Sequence, residues 1–279
     1  MKPEWMYLHL FECSLRNKGD QLMESQIPNY LTSLVLTTAS ATVAVLLFVL
    51  HHAVKLAKWP ARDRALAFWG GALLFAAWFF ASLWLSWLGF FRGSPSSIPT
   101  IQYGVLIPII VGVALFWWRP TVRRVIETVP QEWLVGVQVY RALGFIFLLL
   151  YAGGRLPGLF ALPAGIGDVF VGLFAPIVGI SYAGKRRNAA GFVRAWNLFG
   201  IADLITALTT GFLTSPSPIQ KFALDAPNRL VTAFPLVMIP VFLVPLSILL
   251  HLASLWKLRQ SRKSGAHSAP ESFLVSGKS

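Results

Sequence analysis

Apolar stretches about as long as a bilayer is thick recur through the whole chain, and that repetition constrains the fold more than any single motif. A helix needs roughly 20 apolar residues to cross about 30 Å of hydrocarbon. Such runs lie at Leu31–Leu50, Ala65–Phe91, Ile101–Trp118, Trp133–Tyr151, Leu159–Ala183, Phe192–Leu213 and Phe234–Leu258. The connections between them are short and rich in charge or in Pro, Gly and Ser, too short for a separate soluble domain. Of the 279 residues, 56% are hydrophobic and 13% charged, with a mean hydropathy of +0.63. Ordinary soluble domains carry about 25% charged residues, so a water-soluble globule is excluded. The expected fold is all-α: a polytopic bundle of seven transmembrane helices over residues 31–258, flanked by an extracytoplasmic segment 1–30 and a disordered polar tail 259–279.

The basic residues give an orientation. Lys and Arg near span ends are retained in the cytoplasm. Of the 24 here, 16 fall on one side of a seven-span topology, in clusters such as Lys55–Arg64, Arg119–Arg124, Lys185–Arg194 and Lys257–Lys278. Seven fall on the other side, and Arg141 lies inside a span. The bias holds at every loop, which predicts an external amino terminus and a cytoplasmic carboxyl terminus. Trp59, Trp117, Trp118, Trp133 and Trp256 cluster at the cytoplasmic ends, and Trp84 and Trp87 near an outer end, where indole anchors between lipid tails and water. The first thirty residues mix acidic and basic groups with no apolar core, unlike a cleavable signal peptide.

Several function classes are excluded on residue types. The single cysteine, Cys13, rules out an intramolecular disulfide and Cys-cluster metal sites. No Gly-rich phosphate loop, H-E-x-x-H or G-x-S-x-G pattern occurs, so an enzyme is not expected, and no cofactor or metal is implied. The lysine in the last run, Lys257, is at its cytoplasmic end rather than its middle, which argues against a retinal pigment. His9 reads as part of an interfacial segment and His267 as a solvated tail residue. The net charge of +13 is accounted for by the loops, so the expected partners are the lipid bilayer and a small solute or proton, not nucleic acid.

Chemistry is expected where polar groups sit at membrane depth. An ionisable side chain costs about 2.5 to 3.5 kcal/mol there even on insertion scales, and marks a candidate site. Arg141, Asp168, Asp203 and His251 qualify. With about 1.5 Å rise per residue, they fall ~12, ~22, ~16 and ~9 Å above the cytoplasmic boundary, a ladder through the core. Helical phase turns each toward the protein interior. Asp168 shares a face with Gly165, Gly172, Pro176 and Gly179, a small-residue stripe suited to close helix approach. Asp203 aligns with Trp196, Gly200, Thr206, Ala207 and Thr210; Arg141 aligns with Gln138 and Gly144; His251 aligns with Pro240, Ser247 and Ser254. Two readings stand side by side: a structural polar network that fixes helix register, and a working proton or substrate pathway formed by Arg141, Asp168, Asp203, His251, Gln138, Thr206, Thr210 and Ser247. One arginine against two carboxylates leaves one negative charge over, so either an acid is protonated or His251 is charged.

Breaks in the helices add to the second reading. Pro157, Gly158, Pro163, Gly165 and Gly167 predict an unwound or re-entrant stretch before Asp168. Pro235, Pro240 and Pro245 predict a bent last span. A short echo relates Gly165–Val169 to Gly200–Leu204, each with its aspartate fourth; in a chain so rich in Gly, Ala and Ile, five positions are attributable to chance. The third run carries Gly104, Pro108 and Gly112 on one packing face.

From Trp133 to Lys257, with YRALGFIFLLL, FALPAGIGD, RAWNLFGIADL and FPLVMIPVFLVPLSILLHLASL, the chain resembles uncharacterised bacterial inner-membrane proteins. The resemblance covers about the last half and implies a multi-pass protein of the bacterial cytoplasmic membrane with no stated activity. The function expected from the residues is a proton-linked carrier of a small solute. In it Arg141 holds an anionic group or keeps an aspartate ionised, Asp168 and Asp203 bind protons or cations, and His251 relays protons inward. The alternatives are a structural or sensory membrane subunit and a haem protein ligated by His251 with His51 or His52.

Overall fold

A computed structural model of the chain describes residues 28–267, with side chains to 261. The expectations for the amino-terminal segment, including Cys13 and His9, and for the tail beyond His267 lie outside the described residues. Seven helical segments are long and apolar enough to cross a membrane. They comprise α1 (Asn29–Leu56), α2 (Ala61–Trp87), α3 (Ile101–Trp118), a composite span over Gln131–Ala152, α7 (Gly158–Ala183), α8 (Ala189–Thr214) and a second composite span over Ile239–Ser261. No strand occurs among the described residues.

The fourth span is not one continuous helix. It consists of α5 (Gln131–Gly136), a 3-10 stretch over Val137–Gly144, and α6 (Phe145–Ala152). The 3-10 stretch is flanked by Gly136 and Gly144 and packs along α7. Three residues per turn places Gln138, Arg141 and Gly144 in one row, and all three are buried. The last span is irregular as well. Its entry, Ile239–Leu243, is wound as a π-turn in which Val244 N–H bonds to the carbonyl of Ile239, after which α9 runs from Val244 to His267. Pro245 then follows with no N–H to contribute, so the bend expected from the prolines takes the form of a widened turn. Helix α9 continues nine residues past Leu258 into the polar stretch expected to be disordered. Extending a helix already nucleated in a span costs little when the added residues include Arg, Gln and Lys.

The unwinding expected before Asp168 does not occur. Helix α7 is continuous from Gly158, with Pro163 and Pro176 inside it. Pro163, the sixth residue of the helix, removes one intrahelical bond, to the Leu159 carbonyl, without ending the helix. The glycines of its stripe serve close packing instead. Gly165, Gly172 and Gly179 lie against Leu148, the Ala142 backbone and the Glu132 carbonyl, so the helix runs antiparallel along the whole fourth span. Likewise Gly104 and Gly112 of α3 seat against Val241 and Leu249 of the last span. A short amphipathic helix, α4 (Pro120–Thr128), joins α3 to the fourth span. Lys257 ties the last span to it by donating to the Glu127 carbonyl at 2.6 Å and to the Val129 carbonyl. Of the seven tryptophans assigned to membrane interfaces, Trp84, Trp87, Trp117 and Trp118 are exposed and Trp59, Trp133 and Trp256 are half-buried.

Candidate functional site

The 3-10 row delivers Arg141 into the middle of the last four spans, where it is 3% exposed. Its guanidinium joins three helices. Nε donates to Asp168 Oδ1 of α7 at 2.7 Å, Nη2 donates to Asp203 Oδ2 of α8, and Nη1 faces His251 Nε2 of α9 at 3.0 Å. Nη1 also lies 3.4 Å from the carbonyl of Gly200. The four ionisable groups therefore form one knot rather than the expected ladder. Counting about 1.5 Å per residue from a common plane misplaced them, chiefly because the span ends are not level. Glu132 at the start of the fourth span lies against Gly179, four residues short of the end of α7, and the steeper rise of the 3-10 stretch and the reach of arginine supply the rest. The approach needs glycine at two points. A Cβ at Gly200 would strike the His251 ring, and one at Gly167 would strike the Asp203 carboxylate.

The ring state of His251 follows from its neighbours. Arginine can only donate, so Nε2 accepts and carries no proton. Nδ1 is then the protonated nitrogen and donates to Asn197 Oδ1 at 2.9 Å. Asn197 is held in that orientation because its Nδ2 donates to the Val193 carbonyl at 2.7 Å and to Ser254 Oγ at 2.8 Å. The Gln138 amide lies 3.3 Å from the same Nδ1, and its buried Oε1 is otherwise without a partner. Turning that amide would bring the oxygen to the ring N–H. His251 is thus a neutral spacer, fully buried and packed on Trp196 with ring centroids 5.0 Å apart. Of the two ways to balance the charges, a cationic His251 is not the one this geometry accommodates. A relay through its ring is not supported, and haem ligation is not either, because both nitrogens are engaged. His51 packs on Phe68, and His52 stacks on Trp133.

Other expected residues divide. Ser247 is buried and shares a 2.7 Å hydrogen bond with Tyr140, beside the knot. Thr206 is exposed and Thr210 half-buried, and each hydroxyl bonds to a carbonyl of its own helix. Beyond Asp203 toward Thr214, α8 borders a cleft instead of a packed neighbour, so its polar stripe is no longer covered. Asn197, Tyr140 and Gln131 were missed, and Ser254 was placed on the His251 face but not in the pathway, because depth was tested for groups charged at neutral pH alone. An uncharged amide or phenol within an apolar run is itself a usable signal. Gln131 Nε2 donates to Ser254 Oγ at 2.6 Å, extending the network toward the end of α5.

Two cavities adjoin Asp168. One of about 20 Å³ lies between the irregular parts of the two composite spans, bounded by Tyr140, Arg141, Asp168, Leu243 and Ser247, with room for one water. The other, about 50 Å³, rises from Asp168 toward Ser215 and Val231 between α3, α7, α8 and the π-turn. Apart from Asp168 and Ser215 its lining is apolar. Asp168 Oδ2 has no hydrogen-bond partner among the described residues. Each guanidinium nitrogen of Arg141 is engaged in the knot, so of its two expected roles, holding an anion and pairing with aspartate, the geometry shows the second.

No curated protein and no solved structure matches the chain. Residues 98–259, which include α3 and every residue of the knot, match the model of a family described as a domain of unknown function (DUF8737), and the chain belongs to that family.

Proposed function

We propose that this chain is a proton-linked carrier of a small solute in a bacterial cytoplasmic membrane, with its amino terminus outside, and not an enzyme. One observation carries the reading: a single guanidinium bridges two buried carboxylates while the adjoining imidazole accepts and is neutral. One negative charge is left over in a dry interior, where an uncompensated charge is costly. A proton shared by Asp168 and Asp203 removes it. The unequal winding around this knot supports movement. A 3-10 stretch and a π-turn face each other across the smaller cavity, and such turns within helices recur at hinges and functional sites. The basic bias of the loops supports the orientation.

The saturation of Arg141 favours a second reading, in which the knot only locks three helices together. The two separate by experiment. Purified protein in liposomes enclosing a pH-sensitive dye is given an inward pH gradient and a panel of small organic cations, anions and neutral solutes. Solute-dependent proton movement that is lost in Asp203→Asn, while that variant still inserts and melts cooperatively, supports the carrier. No proton movement with any solute, together with equal loss of stability in Asp168→Asn and Asp203→Asn, rejects it for the structural reading.

A further inference from the structure

The cleft outward of Asp168 has a chemistry that selects among solutes. Asp168, whose Oδ2 is unpartnered among the described residues, lines one end of a largely apolar space that includes the rings of Phe147, Phe160 and Phe212. Phe147 and Phe160 meet edge to face with centroids 5.2 Å apart. An anion finds no cation here, since neither Arg141 nor any other basic residue among those described lines the cleft. A neutral polar solute meets Asp168 and the Ser215 hydroxyl but leaves the excess negative charge in place. A divalent metal ion requires about six oxygen ligands, which this lining does not offer. A monovalent cation with a short apolar chain fits on every count: its charge cancels the excess negative charge, its N–H groups have Asp168 Oδ2 to meet, and aromatic faces attract ammonium. About 50 Å³ of room accommodates a chain of roughly three to five non-hydrogen atoms. The α8 wall, Ala207, Leu208, Gly211 and Phe212, is half-exposed on the side where α3 and α8 pack on the last span and scarcely on each other. That is a way in for a partly apolar molecule.

We infer that the cleft bounded by Asp168, Phe147, Phe160 and Phe212 binds a small primary alkylammonium ion, which replaces the shared proton at Asp168. The replacement rests on the proton-linked reading; the binding alone does not. Binding releases the carboxyl proton to solvent and sets an ammonium N–H against Oδ2, so net charge in the knot is unchanged. The charged and titratable groups around Asp168 are Arg141 and Tyr140 from the fourth span, Asp203 from α8, and His251 from α9 beyond the guanidinium. From α3 the cleft receives only Ile101 and Val105.

The test uses full-length protein in nanodiscs, with propylammonium chloride as probe and sodium propionate and sodium chloride as controls. Propylammonium is expected to raise the melting temperature, more at pH 8 than at pH 6, with no rise from propionate. Ala207→Phe, which fills the cleft away from the guanidinium, is expected to abolish the rise. Asp168→Asn is expected to weaken binding on the order of tenfold or more; if it does not fold, Ala207→Phe decides. No rise at either pH, an equal rise with propionate, or a rise that survives Ala207→Phe overturns the inference. Proton release is followed in weakly buffered solution. Propylammonium binding without release supports the cation site and removes the proton linkage. Proton movement lost in Asp203→Asn, with no propylammonium effect, overturns the cation site and leaves the proton-linked reading standing.

Discussion

The first three spans and the last four solve the membrane problem in different ways. Over an apolar stretch of 18 residues, α1, α2 and α3 are 28%, 11% and 11% buried, whereas the fourth, fifth and seventh spans are 56%, 44% and 61% buried and the sixth, which borders the cleft, equals α1 at 28%. The first group displays Leu, Phe and Trp outward and carries no charge at depth. The second encloses a charged knot with glycines cleared around it. Association in lipid gains little from apolar contact, because hydrocarbon tails are as apolar as leucine. Close packing and polar contacts must hold the later spans together. The family match, which includes α3 but not α1 or α2, covers that knot in full.

Substitutions can break or sharpen this contrast. Arg141→Met leaves two carboxylates unpaired, and a loss of about 3 to 5 kcal/mol is expected, read as a collapse in folded yield and melting temperature. Asn197→Ala should cost about 1 to 3 kcal/mol by removing the 2.9 Å acceptor of the ring N–H and the amide donor to Ser254. It should also shift the His251 nitrogen resonances, which in the native protein are expected to report Nδ1 protonated. Gly167→Ala pushes a methyl into the Asp203 carboxylate and is expected to cost about 1 to 3 kcal/mol. Gly70→Ala in α2, where nothing lies within 4 Å, serves as the paired control and should stay within about 1 kcal/mol, in the stabilising direction. Tyr140→Phe loses one hydrogen bond to Ser247, about 0.5 to 1.5 kcal/mol in the melting curve. Trp69→Leu on the exposed face of α2 should change stability by less than about 0.5 kcal/mol. Equal costs for Gly167→Ala and Gly70→Ala would erase the distinction between the two halves.

The apolar runs and helical phase made much of this legible. Length and polarity located seven segments, and the 100° period identified the glycine face of α7 that meets the fourth span. Phase also turned Arg141, Asp168 and His251 inward. Depth was not legible, because winding changes within a span leave only faint traces in sequence. Gly136 and Gly144 flank the 3-10 stretch, but glycine pairs occur in regular helices as well. Prolines misled in α7 and informed in the last span, since their effect depends on which hydrogen bond they remove. The short echo dismissed as chance contains the two aspartates that Arg141 bridges, Asp168 and Asp203. Five residues without a third dimension could not reveal that they converge.

The chain of contacts from the Val193 carbonyl through Asn197 to His251 ends on an atom with no alternative state. A main-chain oxygen cannot become a donor, so the amide that serves it cannot turn over, and the imidazole beyond is denied its second tautomer. The ring thereby acts as an insulator between the carboxylates and the network at Ser254 and Gln131. In the carrier proposed above, an ion leaving toward that end waits for the helices themselves to shift, and a barrier of that kind separates a carrier from a leak.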